Sequence, residues 1–239
     1  MYTSRQLKSM ARYHLGLSKH LYIHIPKTAG MAVRNSREMR RKVVFADPYF
    51  HKSKAYVAEL TRVMEEHGND PGYKHARLID VHPSVRAKLQ PVAVIRNPFA
   101  RTFSRFTFGQ KYQEKRGEEV DYSPAAFAEF LEQRHEYLGR PYFWHRPIAG
   151  WYNQADYVRD ESGEVVCDIL RQEHLGDDIK RYFGVTDLPL RNRSGKKAAH
   201  YREVYTPETR DIVAEIYADD IETFGFDFEG PATRLTYFD

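Results

Sequence analysis

The fold is decided by one stretch of sequence, Leu21-Tyr-Ile-His-Ile-Pro-Lys-Thr-Ala-Gly-Met-Ala-Val33. Its apolar first part, Leu21–Ile25, predicts a buried strand, and its last part is compatible with a helix. A turn between a strand and a helix leaves the first backbone N–H groups of the helix without intrahelical partners, and the helix dipole adds partial positive charge there. The stretch therefore predicts an anion-binding turn at a strand end, suited to phosphate or sulfate.

The side chains of this turn match that prediction. Lys27 supplies a positive charge on a flexible stem, Thr28 supplies a hydroxyl, and Gly30 allows the backbone to approach a ligand closely. The order differs from the P-loop of nucleotide triphosphatases because the lysine precedes the glycine. No convincing strand-terminal aspartate for Mg²⁺ is found, so ATP or GTP hydrolysis fits poorly. The alternative is an ordinary strand–turn–helix connection with an exposed lysine.

A second motif has the same design, Arg96-Asn-Pro-Phe-Ala-Arg-Thr-Phe-Ser104 directly after the apolar run Val92–Ile95. Pro98 opens a helix, and Ser104 follows about two helical turns later. An arginine fork and a hydroxyl suit one phosphate group. Because ligands collect at the carboxyl ends of strands in open α/β sheets, we expect both motifs to grip opposite ends of one doubly phosphorylated nucleotide. The alternative is that Arg96 pairs with a carboxylate.

Short apolar runs alternate with longer helix-patterned stretches along the chain, which is typical of a parallel α/β sheet flanked by helices. The predicted strands are Leu21–Ile25, Val43–Ala46, Leu78–Val81, Val92–Ile95 and Val165–Leu170. The predicted helices are Ala29–Arg41, Ser53–His67, Pro98–Tyr112, Pro124–Tyr137 and Pro207–Phe224. Loops are predicted at Gly139–Gly150 and Leu188–His200. We expect a single domain over residues 1–239, with 1–19 as an N-terminal extension and 120–155 and 188–202 covering the acceptor or the nucleotide.

Composition allows a sizeable core, with 41% hydrophobic residues in a chain of 239. The net charge of +4 is a mild excess and does not by itself indicate nucleic acid. Basic residues cluster at 34–42 and at 191–202, either to attract anions or as solvated surface. The single cysteine, Cys167, excludes an intramolecular disulfide and is expected to be buried packing. No metal site is expected. Without a long apolar segment or a signal core, the sequence predicts a cytoplasmic protein.

The two motifs together resemble the PAPS-dependent sulfotransferases, which use 3′-phosphoadenosine 5′-phosphosulfate (PAPS), and are most similar to the carbohydrate branch that includes heparan and chondroitin sulfotransferases. Less specific similarities to the family follow at Gln154–Val158, Glu173–Asp178 and Tyr217–Phe226, so that the resemblance spans about Leu21 to Phe226. It implies a P-loop-like three-layer fold. It also implies transfer of a sulfuryl group from PAPS to a hydroxyl acceptor, with the carbohydrate branch pointing to a glycan.

The resemblance also implies roles for individual residues. The turn Lys27-Thr28-Ala29-Gly30, continued by Met31 and Ala32, would hold the 5′-phosphosulfate. Arg96 and Ser104 would hold the 3′-phosphate, and Lys196 and Lys197 would close over the nucleotide. The family usually has hydroxyl residues where this chain has Met31 and Ala32. Two potential donors are therefore missing, which makes weaker binding or a non-catalytic relative conceivable.

Sulfuryl transfer requires in-line attack, charge stabilisation and removal of the acceptor proton. Lys27 is the candidate for stabilising the leaving oxygen, and a histidine is the natural base near neutral pH. His82 is the leading candidate, because it follows the predicted strand Leu78–Val81 and the resembling family has a proposed base at the end of this strand. The alternative is a loop histidine that caps the structure after Pro83. His24, inside the first predicted strand, is either structural or faces the cleft.

Aromatic residues near the middle of the chain offer a platform for an acceptor sugar, or else a small second core. The candidates in this group are Trp144, His145 and Trp151. Two other functions remain open at this point: a nucleotide-dependent kinase or phosphotransferase, and a non-catalytic anion- or glycan-binding protein. Nucleic-acid binding is the weakest alternative, because the basic clusters are small and no recognised module is present.

Overall fold

The computed structural model describes residues 3–66, 75–141, 146–189 and 198–238. Its centre is a four-stranded, fully parallel sheet in the order β2-β1-β3-β4. The strands are β1 His20–Ile23, β2 Val43–Phe45, β3 Gln90–Ile95 and β4 Asp168–Arg171. The predicted α/β class with a central parallel sheet is confirmed.

Helices make up most of the remaining described chain. They are α1 Ser4–His14, α2 Gly30–Asn35, α3 Met39–Lys42, α4 Lys54–Glu66, α5 Pro83–Arg86, α6 Pro98–Glu114, α7 Pro124–Glu132, α8 Arg134–Tyr137, α9 Arg146–Ala149, α10 Ala155–Val158, α11 Leu175–Phe183, α12 Ala198–Val204, α13 Pro207–Ile216 and α14 Ala218–Phe224. Two 3₁₀ turns lie at Pro48–Phe50 and Leu78–Asp80.

The sheet is buried on both faces, which explains why its strands read as continuous apolar runs. Alternate residues enter different cores, since Leu21 and Ile23 of β1 pack in one cluster and Tyr22 packs in the other. Helix α4 contributes to the first cluster and α11 to the second. A third cluster joins α6, α7 and α13 beside the sheet.

The parallel register determines where a ligand could bind. His20 of β1 pairs with Val43 of β2 and with Gln90 of β3, so these strands start at one edge and end at the other. The turn after β1 and the residues after β3 therefore meet at the carboxyl edge of two neighbouring strands.

One predicted strand is wrong. Residues Leu78–Asp80 form a 3₁₀ turn, and Val81 makes only an isolated bridge to His51. The run is apolar because Leu78 and Val81 are buried. The Asp80 carboxylate accepts hydrogen bonds from the Arg77 backbone and side chain, which closes a turn that no strand could contain. A short apolar run does not distinguish these two structures.

Several predicted helices are divided. Ser36 ends α2, and its hydroxyl accepts a hydrogen bond from the Met39 backbone, so the predicted helix Ala29–Arg41 becomes α2 and α3. Pro124–Tyr137 divides into α7 and α8, and Pro207–Phe224 into α13 and α14. Helix α9 occupies part of the loop predicted at Gly139–Gly150. Cys167 is buried, as expected. In the described ranges, no helix is both long and apolar enough to span a membrane.

Candidate functional site

The turn after β1 has an unusual backbone. Lys27 and Ala29 both have φ of 67°, in the left-handed region that costs a non-glycine residue about 1 kcal/mol. Thr28 between them is buried, and its hydroxyl donates to the Ile25 carbonyl at 3.0 Å. Thr28 thus closes the turn with the hydroxyl that the sequence suggested for the anion. Such a conformation persists only where its surroundings hold it.

Two arginines of the second motif hold this turn from one side. Arg96 Nη1 donates to the Lys27 carbonyl at 3.3 Å, and Arg101 Nε donates to the Pro26 carbonyl at 3.1 Å. Because trans peptides point C=O and the following N–H in opposite directions, the amides of Lys27 and Thr28 face away from the arginines. Ala29, which precedes α2, caps that helix with no side-chain hydrogen bond. The amides of Lys27 and Thr28 therefore point to the side of the turn opposite the arginines, and Thr28 is buried while Lys27 and Ala29 are half-buried.

Helix α6 carries the second motif along the same turn. Arg101 contacts Pro26 near its start, and the Lys27 ammonium lies 4.2 Å from the ring centroid of Phe108 two helical turns later. Ser104 is half-buried and lies three residues after Arg101 and four before Phe108, which places it on the same side of the helix. The structure thus brings Lys27 and Arg96 into contact, and helical spacing places Ser104 on the side of α6 that faces the turn.

The Arg96 side chain has an unsatisfied atom. Its Nε is buried and has no hydrogen-bond partner among the described residues, a costly state for a charged group. Desolvation lowers the pKa of Arg96 from its usual value, and the charge of Glu173 opposes this. Glu173 itself accepts from the Asn97 backbone at 2.8 Å, and no carboxylate of the described chain forms an ion pair with Arg96. The Nε–H of Arg96 is therefore suited to an anionic ligand.

A buried polar network fixes the end of β3 beneath this site. The Gln154 side chain accepts from Arg96 N and donates to Arg96 O, both at 2.8 Å, and also donates to Asp220 at 3.1 Å. The fully buried Arg101 lies 3.9 Å from the Asp220 carboxylate and donates to the Tyr152 carbonyl. Burial raises the pKa of Asp220 to about 6. These contacts hold Arg96 and Arg101 in place.

His24, immediately after β1, is buried and has a defined tautomer. Arg34 Nε lies 3.2 Å from His24 Nδ1, and Arg34 Nη2 is paired with Asp47 at 2.8 Å. A guanidinium can only donate, so Nδ1 accepts and the neutral ring carries its proton on Nε2. A Cβ on Gly30 would lie only 2.0 Å from that Nε2. A side chain at position 30 would therefore clash with the imidazole, so a glycine is needed there. The Nε2–H of His24 lies beside the start of α2.

A second histidine, His75, lies against the first and was not among the predicted site residues. His75 Nδ1 is 2.8 Å from the His24 carbonyl, and the two ring centroids are 4.5 Å apart. Because a carbonyl only accepts, His75 Nδ1 carries a proton, and in the neutral ring Nε2 then carries the lone pair. No motif marks His75, and its contact spans 51 residues of sequence. The structure thus places a potential donor and a potential base side by side.

His82 does not lie at a strand end, so its predicted position is wrong. His82 is exposed, follows the 3₁₀ turn, and caps α5 by accepting from the Ser84 backbone. Its Nδ1 also lies 2.8 Å from the Ser84 hydroxyl. This is the alternative of a loop histidine capping the structure after Pro83. The geometric reason for choosing His82 as the base is therefore removed.

The other predicted site residues have different positions. Met31 is 52% exposed at the start of α2, and Ala32 is half-buried with its N–H bonded to the Ala29 carbonyl. Trp151 is only 1% exposed and lies over the Arg105 guanidinium at 4.2 Å. Trp151 therefore belongs to the core and is not available for stacking with an acceptor. Four predicted residues lie outside the described residues: Trp144, His145, Lys196 and Lys197.

A groove of about 590 Å³ lies elsewhere, between α12, α13 and residues 226–228. Phe99, at the start of α6, is its one member from the second motif, and the Lys27 turn does not line it. The convergence of hydrogen-bond donors therefore identifies the site better than cavity size does. No family model matches this chain, and comparisons with curated proteins and with solved structures find no match.

Proposed function

We propose that this chain is a PAPS-dependent sulfotransferase with a P-loop-like fold, which transfers a sulfuryl group to a hydroxyl acceptor, with a carbohydrate as the first class to test. The observation that carries the proposal is the 3.3 Å hydrogen bond from Arg96 Nη1 to the Lys27 carbonyl. It brings the lysine turn and the arginine–serine motif together on neighbouring strands. A nucleotide with phosphates at both its 3′ and 5′ positions fits two adjoining anion sites of this kind.

In this proposal, the turn amides and Lys27 hold the 5′ end, while Arg96 Nε and the Ser104 hydroxyl hold the 3′-phosphate. PAPS supplies the activated sulfuryl group. The His24 Nε2–H donates to an oxygen of the 5′ group held at the turn. Arg34, which is paired with Asp47, keeps the His24 ring in that tautomer. His75 Nε2 receives the proton of the acceptor hydroxyl, because the His24 carbonyl keeps the proton of His75 on Nδ1.

A non-catalytic anion-binding protein is the second candidate, favoured by one observation. Met31 is exposed where the resembling family has a hydroxyl residue, and Ala32 also lacks one. Such a protein would bind the nucleotide without turnover. Appearance of labelled sulfate from PAPS on any hydroxyl acceptor excludes it.

Nucleotide binding gives the direct test of the two-site arrangement. Titration calorimetry with 3′,5′-phosphoadenosine, AMP and ATP should show tightest binding of the bis-phosphorylated nucleotide. Ser104→Ala should weaken 3′,5′-phosphoadenosine at least about tenfold and leave AMP affinity nearly unchanged, because AMP has no 3′-phosphate. Arg96→Ala should weaken both nucleotides, because Arg96 also holds the Lys27 turn. Lys115→Ala, at an exposed cation just after α6, is the control. Equal losses for both nucleotides in Ser104→Ala contradict the assignment, and tighter ATP binding indicates a kinase.

Turnover separates the two candidate bases. His75→Asn should lower the rate of sulfate transfer about 10²-fold or more, with nucleotide affinity retained, since a general base contributes about that much. His82→Asn is the matched variant and should keep full turnover, because its ring caps an exposed helix. A large loss in His82→Asn with none in His75→Asn would return the role to His82.

A further inference from the structure

The edge of the sheet opposite the candidate site carries exposed positive charges. Lys19 precedes β1, Arg41 and Lys42 precede β2, and Lys88 lies two residues before β3. All four are exposed, and the register of His20 with Val43 and Gln90 brings them to one edge. We call this region, with the residues described next, the amino-edge face.

Apolar side chains are exposed in the same place. Leu15 and Leu17, in the turn between α1 and β1, are 70% and 59% exposed. Arg12 ties this turn to the adjacent segment, since its guanidinium donates to the carbonyls of both Leu17 and Arg41. The two leucines therefore lie beside the cations that precede β2. Burial of such side chains is worth about 1.5–3 kcal/mol each when they find an apolar environment.

An aromatic side chain extends the amino-edge face across the sheet. Tyr237 is 52% exposed, and its ring lies 4.6 Å from that of Tyr182, which in turn lies 5.4 Å from His20. Arg181, next to Tyr182, is exposed and covers the Phe238 ring. A tyrosine with a partly exposed ring beside cations is typical of surfaces that contact lipid headgroups.

The cations of the amino-edge face are not neutralised. Within the described ranges, no carboxylate lies within 4.0 Å of Lys19, Arg41, Lys42, Lys88 or Arg181. The Asp168 carboxylate at the start of β4 is half-buried and accepts from the Tyr182 hydroxyl. The face therefore presents net positive charge together with exposed leucines.

We infer that the amino-edge face docks on an anionic lipid bilayer surface. Lys and Arg near such a surface contribute about 1 kcal/mol each, and leucines that enter the headgroup–acyl boundary add to this. A soluble polyanion would use the cations and leave Leu15 and Leu17 exposed, so a bilayer accounts for both features. The parallel strands then direct the candidate site away from the lipid, about 20 Å across the sheet. This docking does not depend on the proposed function.

Vesicle sedimentation tests the inference. The full chain should sediment with vesicles of phosphatidylcholine and phosphatidylserine, stay in solution with phosphatidylcholine alone, and be released by salt. Arg41→Gln with Lys42→Gln should lower the partition coefficient about 30-fold, as expected for two charges. Lys52→Gln with Lys115→Gln removes two exposed lysines from elsewhere and should change it little.

The leucine variant distinguishes a bilayer from other polyanions. Leu15→Ser with Leu17→Ser keeps every charge, and both positions are exposed, so folding measured by circular dichroism should be unchanged. This variant should lose binding at least about tenfold. Undiminished binding would show that charge alone acts, as it would on a soluble polyanion, and would overturn the assignment of this face to a bilayer. Failure of the wild-type chain to sediment with the anionic vesicles would overturn it too.

Discussion

Gly30 shows how a single residue supports the candidate site. Its missing side chain leaves room for the His24 ring, so Gly30→Ala would force the imidazole or the turn to move. We expect a loss of about 1–3 kcal/mol in the free energy of unfolding and at least tenfold weaker binding of 3′,5′-phosphoadenosine. Chemical denaturation and calorimetry measure the two effects.

Gly176→Ala is the matched control for this substitution. Gly176 lies in the first turn of α11, and an added Cβ would meet nothing within 4 Å. Alanine is the better helix former, so this variant should be neutral or more stable by up to about 1 kcal/mol. If Gly30→Ala behaved like Gly176→Ala, the His24 ring would not restrict the turn.

The sequence identified the residues whose role is local and missed those whose role is tertiary. Lys27 and Arg96 each come just after an apolar run, so their place at the sheet edge could be predicted. His75 reaches the site only through a contact across 51 residues, which no local pattern records. His82 was favoured because a buried run was interpreted as a strand. Sequence periodicity reports burial of such a run more reliably than its backbone conformation.

At the scale of elements, Asn97 connects α6 to the C-terminal segment. Its Oδ1 accepts from Phe99 N and Ala100 N, and its Nδ2 donates to the carbonyls of Asp227 and Gly230. Asn97→Asp should keep the cap and place a carboxylate against two carbonyl oxygens. The expected loss is about 2–4 kcal/mol in the free energy of unfolding, measured by urea denaturation.

Thr206→Asp provides the comparison for this cap. Thr206 caps α13 by accepting from the Thr209 backbone, and aspartate also accepts in that position. The change in the free energy of unfolding should stay below about 1 kcal/mol. Similar losses in both variants would mean that the Asn97 donors contribute nothing beyond the cap.

Element types were easier to predict than element ends. Strands β1 and β3 are buried on both faces and therefore carry an apolar signal along their length. The division between α2 and α3 depends on one hydroxyl, that of Ser36, which accepts from the Met39 backbone. Serine both caps helices and occurs inside them, so its position alone did not predict the break.

At the scale of the molecule, Asp220 links the C-terminal helix α14 to the sheet and makes stability depend on pH. Burial raises its pKa to about 6, so the folded chain binds this proton more tightly than the unfolded chain does. The stability from Asp220 is therefore present below about pH 4 and is lost as pH rises towards 6. The expected change is on the order of 2–3 kcal/mol.

Asp220→Asn replaces the titratable carboxyl with an amide that does not titrate. The difference in unfolding free energy between wild type and variant should therefore shrink as pH rises from 4 to 6. Urea denaturation across this range measures it. Asp211→Asn, at an exposed carboxyl on α13, gives the background slope. A difference between wild type and Asp220→Asn that is constant with pH would contradict the assignment.

The bond between Arg96 and Lys27 joins positions 69 residues apart, and it can form only after β1 and β3 have paired. The unfolded chain does not contain this arrangement, so a compound that binds to it raises the melting temperature of the protein. At a hundred times its dissociation constant, such a compound adds about 2.7 kcal/mol to the folded state. Melting-temperature screens of nucleotides and sugars can thus reveal true ligands before any assay of catalysis exists.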